Sequence, residues 1–107
     1  MSGAFFETYV VSEIIKNAYA HNRDPKSYLF YYRDIDQKEI DLLYVEQDSL
    51  YPIEIKKGIA PNKPTKNFNV LSKYKMDIMP GLVIESCEKI RPISEKAYAY
   101  PVHLLGM

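Results

Sequence analysis

The sequence predicts one α/β domain of the mixed α+β kind, with a central mixed β-sheet flanked by helices in the order αβββαββ. Its 107 residues suffice for one compact domain and are too few for two, so we expect residues 1–107 to form a single domain. The composition, 47% hydrophobic and 26% charged, is typical of a protein with a packed core. A helical pattern lies between the third and fourth predicted strands. Such a crossover joins parallel strands, so the sheet is expected to be mixed.

Residues 4–20 are predicted to form the leading helix. At helical spacing, one group of apolar residues lies on a continuous arc: Phe6, Val10, Ile14, Ala18, Val11, Ala4 and Ile15. Glu7 falls inside this arc, where a lone buried charge is costly, so its carboxylate would have to be paired, protonated or bound to a ligand. The alternative is a glutamate near the helix N-terminus that interacts with the helix dipole or extends to solvent.

Five strands are predicted after this helix, because β-branched and aromatic residues favour strands. They comprise residues 28–33, 39–45, 50–56, 81–85 and 95–103. In the second strand, alternation predicts Ile40 and Leu42 on one face and Asp41 and Leu43 on the other. Because Leu43 indicates that this second face is also covered, Asp41 is expected at the edge of a buried layer.

A shorter helix is predicted between the third and fourth strands. It follows a loop over residues 58–64 and begins at Thr65 or Asn67, either of which suits a helix N-cap. Phe68 and Leu71 are expected to face inward. Residues 86–94 are expected to form a polar loop before the last strand.

The formal net charge is zero, so no overall field attracts the protein to nucleic acid or to a membrane. The charges are nevertheless uneven. Residues 1–55 carry ten acids and five Lys or Arg, whereas residues 56–75 carry six lysines and no acid. Among these lysines, Lys57, Lys66 and Lys73 are candidates to contact a nucleic-acid backbone. The alternative is an ordinary solvated surface.

The location is expected to be cytoplasmic, with no contact with a membrane. No apolar run is long enough to span a bilayer, and the N-terminus lacks the pattern of a signal peptide. Cys87 is the one cysteine, which excludes an intramolecular disulfide and fits a reducing compartment.

Two acids and a lysine form the candidate site. Glu54 and Lys56 are two positions apart on the third strand and therefore share a face, and Asp41 lies on the neighbouring strand. Carboxylate oxygens are the ligands that Mg²⁺ or Mn²⁺ prefers, and a cation relieves the repulsion between clustered acids. A lysine beside it can orient or deprotonate water, or stabilise charge on a phosphoryl oxygen. This pattern predicts hydrolysis of a phosphodiester.

The order of these residues resembles the PD-(D/E)XK nuclease superfamily, which has the restriction endonuclease-like fold. Asp41 matches the Asp of that motif, Glu54-Ile55-Lys56 matches its (D/E)-X-K, and Glu7 matches the leading-helix Glu of some branches. More closely, five segments resemble the uncharacterised C-terminal domain of a family of prokaryotic AAA+ ATPases. They comprise residues 3–13, 31–34, 39–42, 52–57 and 100–105.

The resemblance implies a set of roles. Asp41, Glu54 and the Ile55 carbonyl would bind a divalent cation, Mg²⁺ or Mn²⁺, with Glu7 acting through water, and Lys56 would be the catalytic lysine. The implied substrate is DNA, and the implied partner is an AAA+ ATPase domain in the same chain. No phosphate-binding Gly-x-x-x-x-Gly-Lys-Ser/Thr motif is present, so the chain is either a fragment of such an ATPase or a standalone relative.

Two alternatives to a nuclease stay open. One is a catalytically silent, nuclease-like module that binds nucleic acid or protein for an attached ATPase, because a fold supports binding as well as chemistry. The other is a structural arrangement in which Glu54 and Lys56 pair with Asp41, and Glu7 caps its helix.

Overall fold

The computed structural model describes residues 3–57 and 65–105 and confirms the predicted mixed α+β class. One long helix, α1, comprises Gly3–Ala20. The strands are β1 Leu29–Arg33, β2 Glu39–Glu46, β3 Ser49–Ile55, β4 Asp77–Ile78, β5 Gly81–Glu85, β6 Arg91–Ser94 and β7 Ala97–Pro101. Short 3-10 helices comprise Pro25–Ser27, Phe68–Lys73 and Val102–Leu104. No helix in the described ranges is long and apolar enough to cross a membrane.

The strands form one mixed sheet in the order β1-β2-β3-β5-β7-β6, and β4 pairs with β3 outside this path. The β1-β2-β3 part is antiparallel, β3, β5 and β7 run parallel, and β6 returns antiparallel to β7. The predicted crossover between the third and fourth predicted strands is therefore confirmed. The carboxyl ends of β3, β5 and β7 meet at one edge of the sheet, which is where open α/β sheets usually bind ligands.

Apolar side chains cover both faces of this sheet. On one face, α1 packs through Phe6, Val10 and partly buried neighbours against Leu42, Ile53, Ile55 and Ile84. On the other face, the 3-10 helix packs Phe68 and Leu71 against Tyr32, Ile40, Leu43, Leu50, Val83 and Ala97. The inward orientation predicted for Phe68 and Leu71 is thus confirmed.

Two predicted elements, the second helix and the loop before the last strand, differ from the structure. The second helix is a 3-10 helix of six residues, Phe68–Lys73, and not an α-helix. Its Asn67 does not cap it through the side chain; instead the amide Nδ2 donates to the Glu39 carbonyl at 2.9 Å. The predicted polar loop over residues 86–94 contains strand β6, whose Pro92 is compatible with an edge strand. The loop predicted over residues 58–64 lies outside the described residues.

A β-bulge between β1 and β2 makes the predicted face of Ile40 on β2 wrong. Phe30 pairs with Leu43, but Tyr32 pairs with Ile40, so the two residues Asp41 and Leu42 oppose a single residue of β1. The extra residue reverses the alternation beyond it. Ile40 consequently packs on the same face as Leu43 and opposite to Leu42, contrary to the prediction.

Candidate active site at the carboxyl end of β3

Asp41 lies in the bulge, at the point where β2 and β3 stop pairing. The regular ladder between these strands runs from the Glu46–Ser49 pair to the Leu42–Ile53 pair. Beyond the Leu42–Ile53 pair, the N–H of Ile55 on β3 has a side chain and not the β2 backbone as its acceptor. It donates a hydrogen bond to the Oδ2 of Asp41 at 2.7 Å. The carboxylate is half-buried and fixed between the two strands.

The carbonyl of Ile55 faces the same gap. In a strand, the N–H and C=O of one residue point toward the same neighbouring strand, and successive residues alternate between neighbours. The Lys56 N–H donates to the Ile84 carbonyl on β5 at 2.9 Å, whereas the Ile55 N–H points to Asp41. The Ile55 carbonyl therefore lies on the Asp41 side of β3.

Glu54 is buried beside Asp41, with only 5% of its surface exposed. Burial, the neighbouring Asp41 carboxylate and a hydrogen bond to it raise the pKa of Glu54 to about 8, and Lys56 opposes this shift. The Lys56 Nζ lies 3.6 Å from the Glu54 Oε2 and is partly exposed. Two carboxyl groups thus meet at the end of β3 with one ammonium beside them.

The side chain of Glu7 is exposed, as the alternative of a glutamate that extends to solvent predicts, and is not buried on the apolar face of α1. It is nevertheless near the site. Partial burial and then the charge of Asp41 raise the pKa of Glu7, and Lys56 opposes the shift. The helix-dipole alternative gains no support, because the first turn of α1 contains no acidic residue.

The three candidate nucleic-acid lysines are all exposed. Lys57 is the second residue after β3, and Lys66 lies in the turn before the 3-10 helix. Lys73 is anchored on the surface: its Nζ donates to the Tyr32 hydroxyl at 2.6 Å and lies 4.8 Å from the centre of the Tyr32 ring. Its ammonium is therefore held against β1.

The oxygen atoms at this site are of the kind that magnesium and manganese ions prefer as ligands. They belong to two carboxylates, Asp41 and Glu54, and to the carbonyl of Ile55, which are hard oxygen ligands. Across residues 3–57 and 65–105, no three His, Cys, Asp or Glu side chains group together as a metal site. Mg²⁺ commonly binds through one or two carboxylates and keeps several waters, so this donor set suffices. Burial first, and then the neighbouring Asp41 carboxylate, raise the pKa of Glu54, and a nearby cation would offset the effect of Asp41.

A second buried acid lies on the adjacent strand and was not anticipated from the sequence. Glu85, the last residue of β5, is fully buried, and its Oε1 accepts a hydrogen bond from the Arg91 guanidinium at 2.8 Å. Arg91 opens β6, the strand that was predicted as loop. The pairing depends on the β5-β7-β6 register, which no local sequence pattern reveals.

The fold and the site together define a mixed α+β domain with a carboxylate–lysine site at the end of a central strand. A family model described as "Domain of unknown function (DUF4143)" matches residues 2–105, so the chain belongs to that family. No curated protein and no solved structure matches the chain significantly.

Proposed function

We propose that this chain is a divalent-metal-dependent nuclease domain of the PD-(D/E)XK type, which hydrolyses phosphodiester bonds in DNA. The convergence of Asp41, Glu54 and Lys56 at the carboxyl end of β3 carries the proposal. Asp41 is fixed by the Ile55 N–H at 2.7 Å, and Lys56 lies 3.6 Å from Glu54. Folding alone does not require two adjacent carboxyl groups, one of them buried, because their repulsion costs stability.

Each residue has a proposed role. Asp41, Glu54 and the Ile55 carbonyl hold a Mg²⁺ or Mn²⁺ ion, with Glu7 contributing through water. When bound, the ion supplies positive charge that stabilises the phosphoryl oxygens in the transition state. As an ammonium, the Lys56 side chain orients the attacking water or stabilises developing negative charge. As a neutral amine, it accepts a proton from that water.

Lys57, Lys66 and Lys73 are proposed to contact the nucleic-acid backbone away from the reacting phosphate. All three are exposed cations, and phosphate contacts of this kind position a duplex without reading its sequence. Lys57 is adjacent to the site, whereas Lys73 offers an ammonium already ordered by Tyr32.

The family and the sequence resemblance support a wider context, which we also propose. The domain acts as the C-terminal domain of a prokaryotic AAA+ ATPase, in the cytoplasm. The matched residues 2–105 cover nearly the whole chain, so the resemblance concerns the domain as a unit.

Cleavage assays test the function. Labelled linear, nicked and branched DNA substrates are incubated under single-turnover conditions with Mg²⁺ or Mn²⁺. We expect Asp41→Ala and Lys56→Ala each to lower the rate by about 100-fold or more, because each removes charge stabilisation that the reaction needs. Glu46→Ala, at the opposite end of β2, serves as the matched control and should keep wild-type activity. Activity that survives both site substitutions would overturn the proposal.

A second candidate function is a silent module that binds nucleic acid or protein for an attached ATPase. It is favoured by the partners that the acids already have, since Asp41 accepts from Ile55 and Glu54 lies beside Lys56. This candidate predicts that DNA binding is retained while no Mn²⁺ binds to the site. Calorimetric titration with Mn²⁺ distinguishes it from the nuclease.

A further inference from the structure

A second carboxylate–cation pair lies beside the candidate active site, on the same face of the sheet. Ile55 of β3 pairs with Ile84 of β5, so the next residues, Lys56 and Glu85, are neighbours at the edge of the sheet. Glu85 is fully buried, and the guanidinium of Arg91 lies 2.8 Å from it. The arginine side chain itself is 49% exposed, so part of it remains accessible to a ligand from solvent.

Strand register places Arg91 in one row with the site. Glu54 pairs with Val83, Val83 with Ala99, and Ala99 with Arg91, across β3, β5, β7 and β6. Neighbouring strands are about 4.8 Å apart, so the Arg91 backbone begins about 14 Å from that of Glu54. The side chain of Arg91 crosses β7 to reach Glu85 on β5. Its guanidinium therefore contacts a residue of β5, the strand that lies directly beside β3 in the sheet.

The pairing with Glu85 also gives Arg91 a fixed orientation. A planar guanidinium offers several N–H donors in a fork, which suits phosphate oxygens, and a group already held in place loses less conformational entropy on binding. Glu85 engages one nitrogen, NH2, while about half of the side-chain surface remains open to solvent. Such an arginine next to a phosphodiester-cleaving centre is suited to hold a backbone phosphate.

We propose that Arg91 binds a phosphate of the nucleic-acid backbone one or two nucleotides from the scissile phosphate, and that Glu85 holds the guanidinium in position. Lys56 and Glu85 follow the paired residues Ile55 and Ile84 on adjacent strands, so a phosphate held by Arg91 would lie near the scissile phosphate along the same backbone. Arg91 is thus a positioning residue. This inference rests on the proposed nuclease function and names a contact within the same site.

Salt dependence of DNA binding tests this contact. Fluorescence anisotropy measures Kd for a DNA duplex between about 50 and 200 mM salt, with Ca²⁺ present to prevent cleavage. The double variant Glu85→Leu/Arg91→Leu removes the pair and leaves the net charge unchanged. We expect the slope of log K against log salt to fall by about one, with roughly tenfold weaker binding at low salt. Thermal unfolding confirms that the variant is folded, and Glu85→Gln/Arg91→Gln replaces it if it is not.

Arg23→Ala provides the matched control. Arg23 is an exposed arginine that stacks 4.1 Å above the Tyr28 ring and donates to the Tyr44 hydroxyl, near the turn between β2 and β3 and far from the site. Its loss should leave the slope unchanged. A wild-type slope in the double variant would overturn the inference alone. If the wild-type protein shows no salt-dependent binding to DNA, the proposed function is overturned and the inference with it.

Discussion

Two buried glutamates on adjacent parallel strands have opposite surroundings. Glu85 ends β5 and has the Arg91 guanidinium at 2.8 Å. Glu54, near the end of β3, has a second carboxyl group, Asp41, as its neighbour, and its nearest ammonium is 3.6 Å away. Both side chains are almost completely removed from solvent.

The difference separates an acid in direct contact with a cation from one whose neighbours are a second carboxyl group and a more distant ammonium. A buried carboxylate is tolerated when a cation contacts it directly, as Arg91 contacts Glu85. At Glu54 the neighbouring Asp41 adds to the cost of burial, so the pKa of Glu54 rises to about 8. A divalent cation between Asp41 and Glu54 would remove that cost. This contrast supports the two proposals made above, metal binding at the end of β3 and a positioning role for Arg91 beside the end of β5.

Removing each cation should have unequal effects on stability. Arg91→Ala removes the cation that contacts a fully buried carboxylate, and we expect it to lower the free energy of unfolding by about 3 kcal/mol. Lys56→Ala should lower it by less than about 1 kcal/mol, because the ammonium is 38% exposed and solvent screens the pair. Urea unfolding of the two variants measures both values. Equal losses would show that the two pairs are equivalent and would contradict the comparison.

The metal-free protein should lose stability as pH rises through the range in which Glu54 ionises. Its pKa is about 8 in the folded state against 4.5 as the reference value, so the folded protein binds this proton more tightly than the unfolded chain. The stability that this proton contributes is therefore fully present below pH 4.5 and is lost as the pH rises to about 8. Asp41 and Lys56 are the charged groups that face Glu54 in this interaction.

Glu54→Gln should remove that loss and stabilise the metal-free protein at pH 8.5 by on the order of 2 kcal/mol. Glu85→Gln, the matched change on β5, should instead destabilise it, because it weakens a direct ion pair with Arg91. Thermal unfolding in EDTA between pH 5 and 8.5 measures the stability of both variants relative to the wild-type protein. A Glu54→Gln protein that is less stable than wild type at pH 8.5 contradicts the assignment.

Much of the architecture was accessible from local sequence patterns. The leading helix, the first three strands and β5 follow hydrophobic periodicity and turn residues, and Glu54 and Lys56 share a face because a strand has a period of two. The position of Ile40 was not accessible, because a bulge at Asp41 and Leu42 reverses the alternation. That same bulge sets Asp41 between β2 and β3.

The second acid–cation pair illustrates what local patterns omit. Arg91 lies in a polar stretch that reads as loop, and it meets Glu85 only through the register of three strands. Periodicity left the position of Glu7 open. It falls inside the apolar arc of α1, but its side chain is exposed while the adjacent Phe6 is buried in the core. A long polar side chain can reach solvent from an apolar face, which helical spacing alone does not reveal.

Calorimetric titration of the metal-free protein with Mn²⁺ tests the central claim most directly. We predict one binding site in the wild-type protein, a release of protons near pH 7.5 as Glu54 ionises on binding, and loss of binding in Asp41→Asn. Glu13→Gln, on the same helix as Glu7 but paired with Lys16 at 3.5 Å, should bind as the wild type does. No binding in the wild-type protein, or binding that survives Asp41→Asn, would contradict a metal site at the end of β3.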